Sequence, residues 1–239
     1  RTQSFTFALL TSGLTMGCAG PPVAPGFVST APASPGAVNL GAGAGPGLVF
    51  SNNGATVAGG GVIQVDPFVG ERLSIPVEIG SGGLRDSFSA VSRFGLRHRP
   101  ADRFSIGFGG GPGFYGAGFD GNTEFGPYGA VDLEFAYSQQ WGKFALSVVA
   151  RPSLTIFEGA NYFELYGTVA AAPAFFLNER VALTLHVLTG PYASFAGSDA
   201  AVSGMFAGGF GIHVRLGKRR TSPRPTARNK ALSRIFSLL

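Results

Sequence analysis

Asp132 and Glu134 stand two residues apart in the run Ala130-Val-Asp-Leu-Glu-Phe-Ala-Tyr137. In an extended chain that spacing puts both carboxylates on one side, an arrangement that could in principle divide acid and base roles. The other ingredients of catalysis are scattered. His98, His186 and His213 fall in three separate segments, and no serine stands in a nucleophile elbow. No group of His, Cys, Asp and Glu recurs at metal-ligand spacing. Gly111-Pro-Gly-Phe-Tyr-Gly116 formally matches the three-glycine dinucleotide fingerprint. That loop works by aiming a helix N-terminus at pyrophosphate, whereas here the chain runs on through Ala117-Gly-Phe-Asp-Gly121 into another extended pattern. The sequence therefore implies no catalytic residue, no cofactor-binding residue and no metal ligand, and it reads as non-enzymatic.

The elements that carry these residues have a period of two, which identifies strands with two different faces. From Lys143 to Ile156, Phe144, Leu146, Val148, Ala150, Leu154 and Ile156 alternate with Lys143, Ser147, Arg151, Ser153 and Thr155. From 124 to 138, Phe125, Val131, Leu133, Phe135 and Tyr137 alternate with Glu124, Tyr128, Asp132, Glu134 and Ser138. Residues 180–192 set Val181, Leu183, Leu185 and Val187 against Arg180, Thr184 and His186, and 204–216 set Phe206, Phe210, Ile212 and Val214 against His213 and Arg215. Fainter alternation covers 36–50, 55–66, 72–80, 88–98, 103–116 and 162–176, so about ten strands are expected.

Most of these strands are long enough to cross a bilayer, which takes about 9–11 tilted residues, and longer than the 5–6 typical of soluble sheets. No uncharged apolar run of helical membrane-spanning length follows the first twenty residues, so any crossing must use strands. Aromatic residues bracket the apolar faces at Phe104 and Phe114, Phe125 and Phe135 with Tyr137, and Phe163 and Phe175. At about 3.3 Å per residue and a tilt near 40° these separations correspond to roughly 25–30 Å, as two interfacial belts would be. Tight connectors at Arg99-Pro-Ala-Asp102, Gln139-Gln-Trp-Gly142 and Leu177-Asn-Glu179 are expected to alternate with longer loops at 118–123 and 193–203. Pro46, Pro76, Pro112, Pro127, Pro152, Pro173 and Pro191 fall inside proposed strands. Lacking an N–H, they are expected at bulges, bends or strand ends.

Composition agrees with a folded β protein that is not an ordinary water-soluble domain. Only 13% of the 239 residues are charged, while 38 are Gly and 22 are Phe, against a usual charged share of about 25%. The formal charge of +5 is local, since seven of the 18 basic residues (Lys218, Arg219, Arg220, Arg224, Arg228, Lys230 and Arg234) lie in a tail without acids. A slightly acidic body with no basic groove gives no reason to expect a nucleic-acid partner. The tail could be a solvated end, or could attract anionic headgroups with help from Leu232, Ile235, Phe236 and Leu238.

The first residues read as an export address, a charged start followed by Phe5-Thr-Phe-Ala-Leu-Leu10 and Leu14-Thr-Met-Gly-Cys18. Gly17-Cys18 resembles the end of a bacterial lipobox, although Thr15 and Met16 depart from its usual residues. Acylation of Cys18 and ordinary cleavage nearby both stay open. The expected organisation is a signal peptide at 1–17, a Pro/Ala-rich linker at 18–35 holding any anchor apart from the body, a β-barrel at 36–217 and the basic tail at 218–239.

Dyad alternation, paired aromatic belts and turn asymmetry together resemble the small bacterial outer-membrane β-barrel proteins, of the OmpA membrane-domain and opacity-protein kind. The likeness covers roughly 36–217. It implies a closed antiparallel up-and-down transmembrane barrel, placed in the outer membrane with lipid as its partner and without a cofactor. One departure is that Ile212-His-Val-Arg-Leu216 is followed by a basic tail, where such barrels often end on an aromatic residue. In a narrow barrel, Glu78, Arg93, Arg97, Arg103, Asp132, Glu134, Arg151 and Glu164 are expected to face the lumen and pair, fixing register as a polar plug. A structural or surface-exposed role is the first expectation. The alternatives are a narrow channel for small solutes, or a soluble secreted barrel holding an apolar ligand against Phe144, Leu146, Val148 and Leu154.

Overall fold

A computed structural model describes residues 28–217 apart from 32, 52–53, 85–86, 120–121, 159–161 and 198. The signal-like segment, Cys18 and the basic tail lie outside the described residues. The strands are β1 (Val38–Ser51), β2 (Gly54–Pro67), β3 (Leu73–Ser74), β4 (Val77–Leu84), β5 (Ser87–Ala101), β6 (Phe104–Phe119), β7 (Asn122–Trp141), β8 (Phe144–Phe157), β9 (Tyr162–Phe176), β10 (Val181–Ala196) and β11 (Asp199–Leu216). The pair β3 and β4 meets β5 in one unbroken register, Leu73 opposite His98 and Val77 opposite Phe94, so the two form a single stave. Ten staves result. Each pairs antiparallel with its neighbours in sequence, and β11 returns to β1 with Val38 opposite Leu216. No sheet edge is left open, which is the condition for a β-structure to cross hydrocarbon.

The two faces separate as the alternation requires. Phe144, Leu133 and Leu185 are 63%, 45% and 49% exposed, while Asp132 and Arg151 are 8% and 5% exposed. The apolar side of the wall is therefore outside, and the charges are inside. Among the described residues, the outward positions of the strands carry no Asp, Glu, Lys or Arg. A soluble barrel with Phe144, Leu146, Val148 and Leu154 around an internal ligand is excluded by this orientation, because Phe144 is exposed and the other three are half-exposed on the outer wall. Outward rings cluster near both ends of the staves. Phe88 meets Phe114 and Phe125 at 5.9 and 6.0 Å, and Phe163 stacks on Phe195 at 4.6 Å, on the side of the β4–β5 and β8–β9 connections. Phe144 meets Phe175 at 5.1 Å on the opposite side.

Three expectations are corrected. The segments read as long loops, 118–123 and 193–203, are mostly strand: β6 runs to Phe119, β7 starts at Asn122, β10 runs to Ala196 and β11 starts at Asp199. Alternation of hydrophobicity reports a difference in solvent between the two faces. Beyond the apolar band that difference fades while backbone pairing continues. The short stave at 72–80 likewise extends to Leu84, and the turn placed at 99–102 lies at Asp102-Arg103, with Arg99 still in β5. At the β7–β8 hairpin, Gly142 takes φ +59°, the left-handed conformation that such a two-residue turn needs.

Pro76 stands at the break between β3 and β4, as expected, but Pro46, Pro112, Pro152 and Pro191 do not mark bulges. Pro152 lies where the β7–β8 ladder skips from Asp132/Ser153 to Phe135/Ala150 and then resumes in the same register. Pro191 does the same between Thr189/Val169 and Tyr192/Tyr166, Pro46 between Ala44/Phe210 and Gly47/Ala207, and Pro112 between Val91/Gly113 and Phe94/Gly110. Each missing N–H opens a gap on one side of a stave while the partner on its other side holds the alignment. The β5–β6 pairing shifts register between His98 and Ala101, beside Pro100.

The third correction concerns the linker. Residues 28–31 and 33–37 do not stand away from the body; Val28, Ser29, Thr30, Ala33 and Ala37 are all buried at the mouth formed by the β5–β6 and β7–β8 turns. Composition rich in Ala, Ser and Pro reads as linker because it offers no amphipathic pattern. Here the small side chains pass into the barrel mouth.

Candidate functional site: an ionic relay in the barrel lumen

The inner face of each stave is set by parity, so charged residues two apart on a strand point into the same interior. On β5 these are Arg93, Arg97 and Arg99, on β7 Asp132 and Glu134, on β2 Asp66, on β4 Glu78 and on β8 Arg151, all nearly inaccessible to solvent. They form one alternating chain. Arg99 Nη2 reaches Asp66 Oδ2 at 2.8 Å, and Arg97 Nη1 reaches the same oxygen at 2.7 Å. Arg97 grips Glu134 with two donors, Nε to Oε1 at 2.7 Å and Nη2 to Oε2 at 3.0 Å. Arg151 Nη2 bonds Glu134 Oε2 at 2.7 Å, and its two terminal nitrogens bond Glu78 at 2.7 and 3.1 Å. Arg93 ends the series, 3.3 Å from Glu78 Oε1 and 3.2 Å from Asp132 Oδ2.

Four guanidinium groups thus face four carboxylates, and the relay is electrically neutral. Two parallel N–H···O bonds between a guanidinium and a carboxylate fix direction as well as distance. The Arg151–Glu78 contact crosses the lumen, because β8 and β4 are not neighbours in the sheet. The relay therefore ties together staves that the backbone ladder does not.

Glycines on β6 make room for it. A Cβ on Gly107 would stand 3.3 Å from the Glu134 Cβ, and one on Gly109 3.4 Å from Asp132 Oδ1. The three-glycine motif has a packing cause of its own. Side chains at Gly111, Gly113 and Gly116 would run into the Ser92 carbonyl at 2.0 Å, the Tyr128 ring at 2.3 Å and the Phe88 ring at 2.5 Å.

Of the residues expected in the lumen, Glu78, Arg93, Arg97, Asp132, Glu134 and Arg151 are brought into the relay. Glu164 is buried in a separate group, accepting hydrogen bonds from Tyr162 Oη at 2.6 Å and from Tyr166 Oη. Arg103 is not in the lumen at all; it is exposed in the β5–β6 turn, where the chain reverses and parity no longer applies. Sequence reasoning missed Asp66 and Arg99. Both obey the parity of their strands, Asp66 with Gln64 and Arg99 with Arg97, but Arg99 falls in the segment read as the tight connector Arg99-Pro-Ala-Asp102. Arg99 also lies 4.2 Å over the Phe68 ring, an added cation–π contact.

The relay is not the only material in the lumen. Toward the β6–β7 and β8–β9 connections, Tyr115, Tyr128, Phe157 and Tyr162 pack together with Val91 and Ala196, with ring centroids 4.9–5.5 Å apart. Beside them Tyr166 and Tyr192 stack at 5.6 Å among Leu188 and Met205. His186 and His213 face inward from β10 and β11, and His98 faces outward from β5. Among the described residues no group of three His, Cys, Asp or Glu could hold a metal ion.

Comparison with known proteins adds the following. No protein-family profile matches the chain, and no curated protein sequence is detectably similar to it. Solved structures that it resembles are outer-membrane β-barrels at very low identity. Neisserial surface protein A is 12% identical over 76% of this chain and 99% of its own, with a TM-score of 0.38. The β domain of the Bordetella autotransporter BrkA is 10% identical over 77% and 100%, with a TM-score of 0.47. The outer-membrane protease OmpT from Escherichia coli is 9% identical over 77% and 98%, with a TM-score of 0.42.

Proposed function

We propose that this outer-membrane β-barrel is a sealed, non-enzymatic scaffold with a structural or surface-exposed role, rather than an open pore. The observation that carries this reading is the relay. Eight charged side chains, nearly inaccessible to solvent and mutually paired, fill one level of the lumen, and a layer of packed aromatic rings fills another. An ion crossing this interior would have to break several short guanidinium–carboxylate contacts, each much stronger in a protein interior than in water. The same contacts cross-brace non-adjacent staves, which suits a rigid surface support. The alternative, a narrow channel for small solutes, requires a continuous wet path through both layers.

Single-channel recording of the purified full-length protein in planar bilayers tests the reading. A scaffold gives no steps above baseline at 1 M KCl. Reproducible conductance steps that change when Glu134 or Arg151 is neutralised would establish the channel instead.

A further inference from the structure

The strap formed by residues 28–31 and 33–37 is bound to the inside of the barrel without being part of its ladder of long strands. Val28 N donates to Ser147 Oγ at 3.3 Å, and Thr30 N donates to Ser138 Oγ at 2.9 Å. Thr30 Oγ1 lies 2.7 Å from Ser138 Oγ and donates to the Asp102 carbonyl at 3.2 Å. Ser29 is held from two sides. Its carbonyl accepts from Arg99 Nη2 at 3.5 Å, and its hydroxyl accepts from Arg215 Nη2 at 2.8 Å. The Val28 side chain packs against Ala136 and Val149, and Ala33 and Ala37 pack against Phe68. The path runs from the start of β1 across the mouth to β7 and β8, on the far side of the barrel.

The wall that receives it is distinctive. Below the relay, β7 to β10 present the small buried residues Ala136, Ser138, Ala145, Ser147, Ala172 and Ala182, with Val149 and Phe176 as the larger members of the same wall. The recess thus offers hydroxyl acceptors for backbone N–H groups, guanidinium donors for a carbonyl and a hydroxyl, and an apolar slot for one small aliphatic side chain. Those are the requirements of an extended, uncharged peptide of small residues.

We propose that the short-turn mouth of this barrel is a peptide-binding recess, and that residues 28–31 and 33–37 are its ligand, bound in cis and able to be displaced. The recess recognises a Val-Ser-Thr segment through Ser147, Arg99 with Arg215, and Ser138 in turn. The proposal is independent of whether the lumen conducts.

Two experiments on the full-length protein with Cys18→Ser test it. In the first, Thr30→Cys and Ser138→Cys are combined, and mild oxidation is expected to join them nearly completely in the folded barrel. A folded barrel whose two cysteines stay separate overturns the proposal. In the second, Ser138→Cys alone is exposed to a water-soluble maleimide, with and without Ser29→Arg, which sets a third guanidinium between Arg99 and Arg215. Labelling is expected to be at least tenfold faster with Ser29→Arg, and a synthetic peptide of residues 28–37 is expected to restore protection in proportion to its concentration. Equal labelling in the two backgrounds, or no protection by millimolar peptide, overturns it. If Ser29→Arg does not fold, Val28→Asp, which sets a charge against Ala136 and Val149, takes its place with the same labelling and peptide readouts.

Discussion

Replacing Glu134 by Gln removes the relay's best-bonded carboxylate while keeping its shape. Glu134 accepts two bonds from Arg97 and one from Arg151, at 2.7–3.0 Å, and its side chain is only 5% exposed. Without it the relay carries one excess positive charge in an interior that cannot hydrate it. Removing one partner of a buried pair costs about 3–5 kcal/mol. For a chain of this size each kcal/mol corresponds to roughly 2–4 °C in melting temperature, so a fall of about 6–20 °C is expected. Many outer-membrane barrels run faster on gels when folded than when heat-denatured, and the temperature at which the fast band is lost gives the midpoint. Asp102→Asn is the control, because the Arg72–Asp102 pair is 3.4 Å long with side chains 46% and 63% exposed. Exposed pairs contribute at most about 1 kcal/mol, so its midpoint should move by no more than a few degrees, and less in high salt. If Glu134→Gln melts within two or three degrees of Asp102→Asn, the relay does not brace the barrel and the argument fails.

Other outcomes follow from the same geometry. Leu185→Arg puts a charge on the outer wall and should cost about 2–4 kcal/mol if that position lies near the bilayer midplane, read as loss of folded yield in vesicles; an unaltered yield places Leu185 outside the hydrocarbon. Gly113→Leu forces a side chain into the space held by the Tyr128 ring, 2.3 Å from a Cβ there, and overpacking of this kind costs typically 1–3 kcal/mol; urea midpoints unchanged from wild type would show that the ring moves freely aside. Pro152→Ala restores an N–H where the β7–β8 ladder is interrupted. The new amide at residue 152 is expected to exchange slowly, as a ladder hydrogen bond closes the gap; rapid exchange there would show that proline is not the cause of the gap.

The fold was legible because the lumen and the lipid differ so sharply as solvents. Leu133 and Asp132, or Leu185 and His186, could be assigned to opposite faces from parity alone, and the outer membrane is the setting in which the apolar face belongs outside. The ten staves were countable for the same reason. What the sequence hid lies where that contrast is weak. The extensions of β6, β7, β10 and β11 beyond the apolar band look like loops, since their outward residues need not be greasy. The strap at 28–37 looks like a spacer because small residues have no periodic signature, and its binding depends on Ser138, Ser147 and Arg215, more than a hundred residues away.

The relay was half visible. Parity assigns Glu78, Arg93, Arg97, Asp132, Glu134 and Arg151 to inner faces, and it would also have supplied Asp66 and Arg99. Which carboxylate meets which guanidinium is decided by stagger around the barrel, a property of ten pairings taken together and of no single strand. Arg103 illustrates the opposite error: it has the right residue type, but it sits two residues past the end of the strand that would have aimed it inward.

The central claim is that one face of every stave touches hydrocarbon while the other encloses a polar, sealed interior. Spin labels placed singly at Leu133, Leu165 and Leu185, and at Ala136 and Ser147, in the Cys18→Ser protein in liposomes test it most directly through collision rates with oxygen and with a water-soluble nickel chelate. The leucine sites should show high oxygen and low nickel accessibility, and the two inner sites low accessibility to both. High nickel accessibility at the leucines, or oxygen accessibility at Ala136 and Ser147 equal to theirs, would contradict the account.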